Sequence, residues 1–104
     1  MSVEPPEACQ SMAQVRAGVD ALDRELIALL AQRLGYMDAA ARIKPNHCDV
    51  RDEARKRQVI ANASAAAAAA GLPPGLAETL WKALVEASIA HELFRWESLH
   101  SQVA

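Results

Sequence analysis

The sequence predicts an all-α fold of three helices: long, medium and long. Three observations support this prediction. Helix-forming residues such as alanine and leucine dominate, while only 4% of the 104 residues are aromatic. Apolar residues recur at steps of three and four, the period of one helix face. Proline breaks this pattern at Pro45 and in the segment GLPPG, residues 71–75.

Charge and composition argue against several classes of protein. Lys and Arg number 11 against 13 Asp and Glu, so no basic excess points to nucleic-acid binding. The first ten residues lack the features of a signal peptide, and no apolar run reaches the ~20 residues that span a membrane. Two cysteines, Cys9 and Cys48, are too few for a disulfide framework. We therefore expect a cytoplasmic protein that binds neither nucleic acid nor membrane.

The long helix is the element around which the chain is organised. Residues 1–10, with two prolines, are expected to be a flexible lead-in, and residues 11–104 to form the helical domain. Ser11 is a candidate N-cap, with Gln14 in the reciprocal position, and Pro45 ends the helix. At 1.5 Å per residue this helix is roughly 45 Å long, longer than so small a domain is wide. It therefore needs a partner. Its apolar seam comprises Val15, Val19, Leu22, Leu26, Leu29, Tyr36 and Ala40.

Charged residues interrupt this helix in an informative pattern. Arg33 occupies a seam position where an apolar residue is expected. Arg33 and Lys44 are about 20° apart around the axis and roughly 16 Å apart along it, so they share a face. Arg16 is about 100° away from Arg33 and roughly 25 Å down the helix. Arg16 can serve the same site only from a second, antiparallel copy of the helix.

The second and third helices follow a polar loop. Helix two is expected from Asp49 or Asp52 to Ala70, and helix three from about Pro74 to His100, with Gly71 as the C-terminal cap and Pro73 or Pro74 in the next first turn. Val59 and Ile60 are an apolar anchor pair of helix two. The basic residues near its start are expected to form a solvated helix end: Arg51, Arg55, Lys56 and Arg57. The apolar face of helix three comprises Leu80, Trp81, Leu84, Val85, Ile89, Leu93 and Trp96.

Two polar residues interrupt the apolar face of helix three. Ser88 and Glu92 continue the row of residues 80 and 84 at four-residue steps. A carboxyl group on an apolar face is unusual unless it is paired or protonated. His91 and His100 have no evident partner, and a surface position is expected for both. His47 and Cys48 have no second ligand pair at metal spacing, so no metal site is expected.

Together these residues indicate a site for a small, multiply anionic ligand. Arginine holds carboxylates bidentately, and a buried lysine supplies a point charge where negative charge develops. The sequence offers no nucleophile–base pair, glycine-rich phosphate loop or metal set, and no cofactor is expected. An enzyme of this kind would act by orientation and electrostatics.

The chain resembles the all-helical, type II chorismate mutase family, including the related isochorismate-pyruvate lyases. The resemblance runs from about Cys9 to Trp96. It rests on the run VRAGVDALDRELIALLAQR, a lysine eleven residues after Arg33, VRDEAR at the start of helix two, and Ser88 with Glu92 on helix three. Members of this family form intertwined homodimers in which each active site takes an arginine from the partner's long helix.

The resemblance implies a role for each candidate residue. Arg16 of the other subunit and Arg33 would bind the two substrate carboxylates. Lys44 would contact a carboxylate and the ether oxygen at which the bond breaks, and Glu92 would face that oxygen. The remaining contacts would come from Asp52 and Arg55 at the ring end of the pocket and Ser88 on helix three.

Two departures from the family pattern bear on the reaction. Many bacterial members have Gln where this chain has Glu92, and a carboxyl there must be protonated to donate a hydrogen bond to the ether oxygen. Lys56 stands where the mutases often carry a Glu that binds the ring hydroxyl, which the lyases lack too. Chorismate mutase is the first expectation and isochorismate-pyruvate lyase the second. A non-catalytic helical dimerisation module is the third, although it would have little reason to bury Arg33, Lys44 and Glu92.

Overall fold

A computed structural model describes residues 3–101, which are all-helical and contain no strand. The three helices are α1 (Met12–Ile43), α2 (Glu53–Ala69) and α3 (Leu76–His100). Two short 3-10 turns, Pro6–Ala8 and His47–Asp49, precede α1 and α2. The predicted fold class and the order long, medium, long are confirmed. None of the described helices combines the length and apolar character needed to cross a membrane.

Side-chain and backbone caps define the helix ends. Ser11 Oγ accepts a hydrogen bond from the Gln14 backbone N–H at 3.2 Å, as an N-cap does. The Gln14 side chain accepts from the N–H of Gln10 at 2.6 Å rather than from that of Ser11, one residue earlier than the predicted capping box. At the start of α2, Asp52 Oδ1 accepts from the N–H of Arg55 at 3.0 Å.

The segment between α2 and α3 corrects one prediction. Gly71 adopts φ +82° just after α2, and the Leu72 and Gly71 N–H groups bond to carbonyls of the last helical turn, which is a Schellman motif. Gly75, at φ +88°, precedes the first residue of α3. Pro73 and Pro74 therefore lie in the turn before α3 and not in its first turn, because the backbone reverses through Gly75 first.

Internal contacts divide the chain into one unit that ends at Gly35 and one that begins at Tyr36. In the first unit, the N-terminal segment and α1 line an apolar groove of about 510 Å³, whose walls include Val3, Cys9, Val15 and Leu22. The other seam residues of this unit are exposed too, among them Val19, Leu26 and Leu29. The proposed division at residue 10 stays a prediction.

The second unit contains the small hydrophobic core. Val50, Val85 and Ile89 are buried together. The partly buried residues packed against them include the expected anchor pair and most of the predicted face of α3: Val59, Ile60, Trp81, Leu93 and Trp96. Leu80 was expected on this face but is 54% exposed, because the buried face of α3 is centred on residues 85, 88, 89 and 92. The packing of α2 and the His47–Asp49 turn on α3 positions the site described next.

Candidate active site

The site is centred on an ion pair between Lys44 and Glu92. Lys44 directly follows α1, and its backbone N–H still donates to the Ala40 carbonyl at 2.9 Å. Its Nζ lies 2.7 Å from Glu92 Oε2 and 3.4 Å from the Val50 carbonyl oxygen. The Glu92 side chain is 5% exposed and that of Lys44 30% exposed. The unusual carboxyl on the apolar face of α3 is thus buried and paired.

Ser88 lies one turn before Glu92 on the same face of α3. It is buried, and its hydroxyl donates to the Leu84 carbonyl at 2.7 Å. The row predicted from the sequence therefore presents a hydroxyl and a carboxyl side by side.

Asp52 and Arg55 are both exposed and make local contacts at the start of α2. Asp52 caps the helix, as described above, and Arg55 Nη1 donates to Gln58 Oε1 at 2.7 Å. The negative charge of Asp52 also interacts favourably with the positive N-terminal end of the α2 dipole. Their contribution to a ligand site stays a prediction.

Arg16 and Arg33 belong to the unit that ends at Gly35. Arg16 is exposed and Arg33 is half-buried. The candidate residues of the other unit are Lys44, Asp52, Arg55, Ser88 and Glu92. That Arg16 and Arg33 act on the same ligand as Lys44 stays a prediction.

A second charged network joins the start of α2 to α3. Arg51 donates two hydrogen bonds to Glu86, and Lys56 Nζ lies 3.0 Å from the same carboxylate. Hydrogen bonds from Arg51 and then from Lys56 lower the pKa of Glu86 to about 2, and those to Glu86 and Glu53 raise the pKa of Arg51. The prediction of a merely solvated basic helix end is therefore wrong for Arg51 and Lys56, because Glu86 is opposite them.

The two histidines of α3 correct another prediction. His91 Nε2 lies 2.7 Å from Asp38 Oδ1 of α1, and His100 Nδ1 lies 2.7 Å from the Trp96 carbonyl oxygen. Both are half-buried, so neither is a simple surface residue. Sequence spacing could not reveal the first contact because Asp38 and His91 are 53 residues apart.

The loop after Lys44 makes contacts that sequence analysis missed. His47 Nε2 lies 3.0 Å from Glu97 Oε1, and Trp96 Nε1 donates to the Lys44 carbonyl at 3.0 Å. The available signal was that Trp96 follows Glu92 by four residues and so shares its face. Within residues 3–101, no group of three His, Cys, Asp or Glu side chains is placed to hold a metal ion.

Chemically, this arrangement suits a polar ligand with a negatively charged or electron-rich oxygen. An ammonium and a carboxyl 2.7 Å apart, one of them almost fully buried, form a fixed dipole in a low-dielectric setting. A ligand oxygen placed beside the pair could accept from the lysine, and from the carboxyl if that is protonated. Such a site stabilises developing charge and requires no covalent intermediate.

The fold and this ion pair define a small all-helical domain with a polar site between its helices. Residues 15–93 match the family described as chorismate mutase type II, and the chain belongs to this family. Among curated proteins, it is similar to an isochorismate pyruvate lyase of Pseudomonas aeruginosa, with 24% identity over 94 residues. The matched region covers 90% of this chain and 93% of that protein. The family is enzymatic and acts on chorismate or isochorismate.

Proposed function

We propose that this protein is a chorismate mutase, which rearranges chorismate to prephenate by orientation and electrostatic stabilisation. The pair of Lys44 with the buried carboxyl of Glu92 is the observation that carries the proposal. In the rearrangement the ether C–O bond breaks as a new C–C bond forms, and negative charge builds up at the ether oxygen. Lys44 would stabilise that charge directly, and also contact a carboxylate. Glu92, in its protonated form, would donate a hydrogen bond to the same oxygen.

The remaining candidates would bind and orient the substrate. Arg33, and Arg16 of a second subunit, would bind the two carboxylates through bidentate hydrogen bonds. Ser88 would contact a carboxylate from α3. Asp52 and Arg55 would lie at the ring end of the pocket. Holding the side chain of the substrate over its ring supplies much of the rate enhancement expected for a unimolecular reaction.

An intertwined homodimer is part of this proposal. The apolar seam of α1 supports it, since Leu22, Leu26 and Leu29 are each more than half exposed in the single chain. Covering such a row removes apolar surface from water, at about 25 cal/mol per Å². An antiparallel second copy would also bring its Arg16 to the far end of the helix.

The second candidate function is isochorismate-pyruvate lyase, which forms salicylate and pyruvate. The curated relative favours it, because that protein is matched over nearly its whole length. Lys56 favours it as well, because mutases often carry at this position a Glu that binds the ring hydroxyl. Here the position holds a lysine, which pairs with Glu86. Both reactions cleave the same ether bond, so Lys44 and the two arginines would serve either one.

Separate incubations of the purified protein with chorismate and isochorismate test the proposal. Prephenate formed from chorismate is the expected result. Salicylate from isochorismate with only slow chorismate turnover would replace the first candidate by the second. If neither substrate reacts, both are contradicted and a non-catalytic dimerisation module gains support.

A matched pair of lysine variants tests the site itself. Lys44→Met keeps an unbranched side chain of similar length but removes the charge, and we expect a loss of kcat/KM of about 10²-fold or more. Lys82→Met is the control, because Lys82 is exposed on α3 and pairs within its own helix with Glu78. Equal activity of the two variants would contradict the assigned site.

A further inference from the structure

The main-chain carbonyl of Lys44 has a specific partner on α3. The last carbonyls of a helix lack intrahelical partners, and Lys44 lies at that position, one residue beyond α1. Pro45 follows and has no N–H to extend the helix. Trp96 Nε1 donates to this carbonyl at 3.0 Å. The indole N–H thus satisfies a backbone group that the helix itself leaves open.

Glu92 and Trp96 hold Lys44 at its two ends. They are four residues apart on α3 and so lie on one face, one turn from each other. Glu92 contacts the ammonium at 2.7 Å, and Trp96 contacts the backbone carbonyl at 3.0 Å. Because both partners belong to one helix, Lys44 is held at its backbone and at its ammonium by the same element.

Trp96 is itself held in place. It packs against the cluster of Val50, Val85 and Ile89. Its ring stacks on His100, with centroids 3.7 Å apart. His47, from the loop after Lys44, contacts the same indole edge-on with centroids 5.4 Å apart, and its Nε2 lies 3.0 Å from Glu97. The loop therefore contacts the end of α3 that carries the indole.

We propose that Trp96 is a positioning residue for Lys44, acting through the hydrogen bond from its indole to the lysine carbonyl. The inference rests on the proposed function, because Lys44 is the residue that would act on the ether oxygen. Trp96 touches no reacting atom in this scheme. It fixes the end of α1 and the start of the loop, so that the ammonium is already in place before the substrate arrives.

Removing only the indole N–H tests this proposal. Replacement of Trp96 by benzothienylalanine keeps the shape of the ring but has sulfur in place of the N–H. The same replacement at Trp81 is the control, since Trp81 packs against the same cluster. Two quantities are measured: kcat and KM with the substrate that the wild type turns over, and hydrogen exchange of the backbone amides of residues 46–50.

For the Trp96 replacement, we expect kcat to fall about tenfold while KM changes by less than about threefold. Exchange of residues 46–50 is expected to become faster, whereas the Trp81 replacement leaves both quantities near wild type. Unchanged kcat and exchange at Trp96, or equal effects at both tryptophans, would overturn the proposal. If the wild type turns over neither substrate, the proposed function fails by itself. The exchange measurement then decides alone whether Trp96 holds the lysine and its loop.

Discussion

Arg51 and Glu86 are joined by two hydrogen bonds, 3.1 and 3.0 Å long, between separate nitrogens of the guanidinium and separate oxygens of the carboxylate. This bidentate geometry connects a residue two positions before α2 to the middle of α3. Arg51 directly follows Val50, whose carbonyl oxygen lies 3.4 Å from Lys44 Nζ. The pair therefore anchors the backbone that borders the candidate site.

This pair makes a prediction about stability in acid. The folded protein lowers the pKa of Glu86 from 4.5 to about 2. The contribution of the carboxylate to stability is therefore complete above pH 4.5 and is lost as the pH falls from 4.5 toward 2. We expect the melting temperature of the wild type to fall more steeply over this range than that of Glu86→Gln, which has no charge to lose.

The control for this comparison is Glu78→Gln, since Glu78 is also exposed on α3 but pairs only within its helix, with Lys82. Between pH 4.5 and 2, the melting temperature of Glu78→Gln should fall as steeply as that of the wild type. Because the groups at Glu86 are exposed, the difference is expected to be small and to shrink further in high salt. Parallel curves for the wild type and Glu86→Gln at low salt would contradict the prediction.

The role of Glu92 can be tested by substitution with its amide. Glu92→Gln preserves the side-chain length and can donate a hydrogen bond at every pH. We expect its turnover to depend less on pH than that of the wild type, in which only the protonated carboxyl can donate. Glu92→Ala, which removes the group, is expected to lower kcat about 10²–10³-fold.

The measurement is turnover as a function of pH for the wild type and both variants. Glu78→Gln again serves as a control and should retain the wild-type profile. If Glu92→Gln and the wild type show the same pH profile, the role of Glu92 as a hydrogen-bond donor is wrong.

Gly75, like Gly71, is predicted to tolerate a side chain poorly. Its φ of +88° is in the left-handed region, where other residues cost roughly 1–2 kcal/mol. Space is not the limitation, because a Cβ at this position would meet nothing within 4 Å. We expect Gly75→Ala to lower the free energy of unfolding by about that amount, measured from the denaturant midpoint.

Gly35 offers the opposite case within the same chain. It lies inside α1, and a Cβ there would also meet nothing within 4 Å. Alanine favours a helix over glycine by about 0.5–1 kcal/mol. Gly35→Ala is thus expected to raise stability, and a loss equal to that of Gly75→Ala would contradict the argument from backbone conformation.

The proposed dimer predicts the effect of a charge in the seam of α1. Leu22 is 57% exposed in the single chain, and Glu at this position would be forced from water on association. We expect Leu22→Glu to weaken the dimer by about 10²-fold or more, measured by sedimentation over a range of concentrations. Arg24→Glu introduces the same residue on the polar side of α1 and should change association much less. A wild type that is monomeric at all concentrations would contradict the dimer itself.

The sequence by itself determined the helices and the identity of the charged residues on their faces. A period of three and four residues is a local property, and so are the cap at Ser11, the stop at Pro45 and the glycine after α2. The same helical period identified Lys44, Ser88 and Glu92 as candidate site residues, because a polar residue on an apolar face can be recognised without any knowledge of packing. The start of α3 was misplaced because Gly75, and not a proline, turns the backbone into that helix.

Only the tertiary structure decided which charged groups meet. Lys44 and Glu92 are 48 residues apart, Arg51 and Glu86 are 35 apart, and no spacing rule connects residues so distant in the chain. Their pairing depends on how the helices are packed and rotated about their axes, which the buried core around Val85 and Ile89 sets. The link between Trp96 and Lys44 has the same origin. A backbone carbonyl carries no signature in the sequence, and its partner becomes visible only when α3 is packed beside the end of α1.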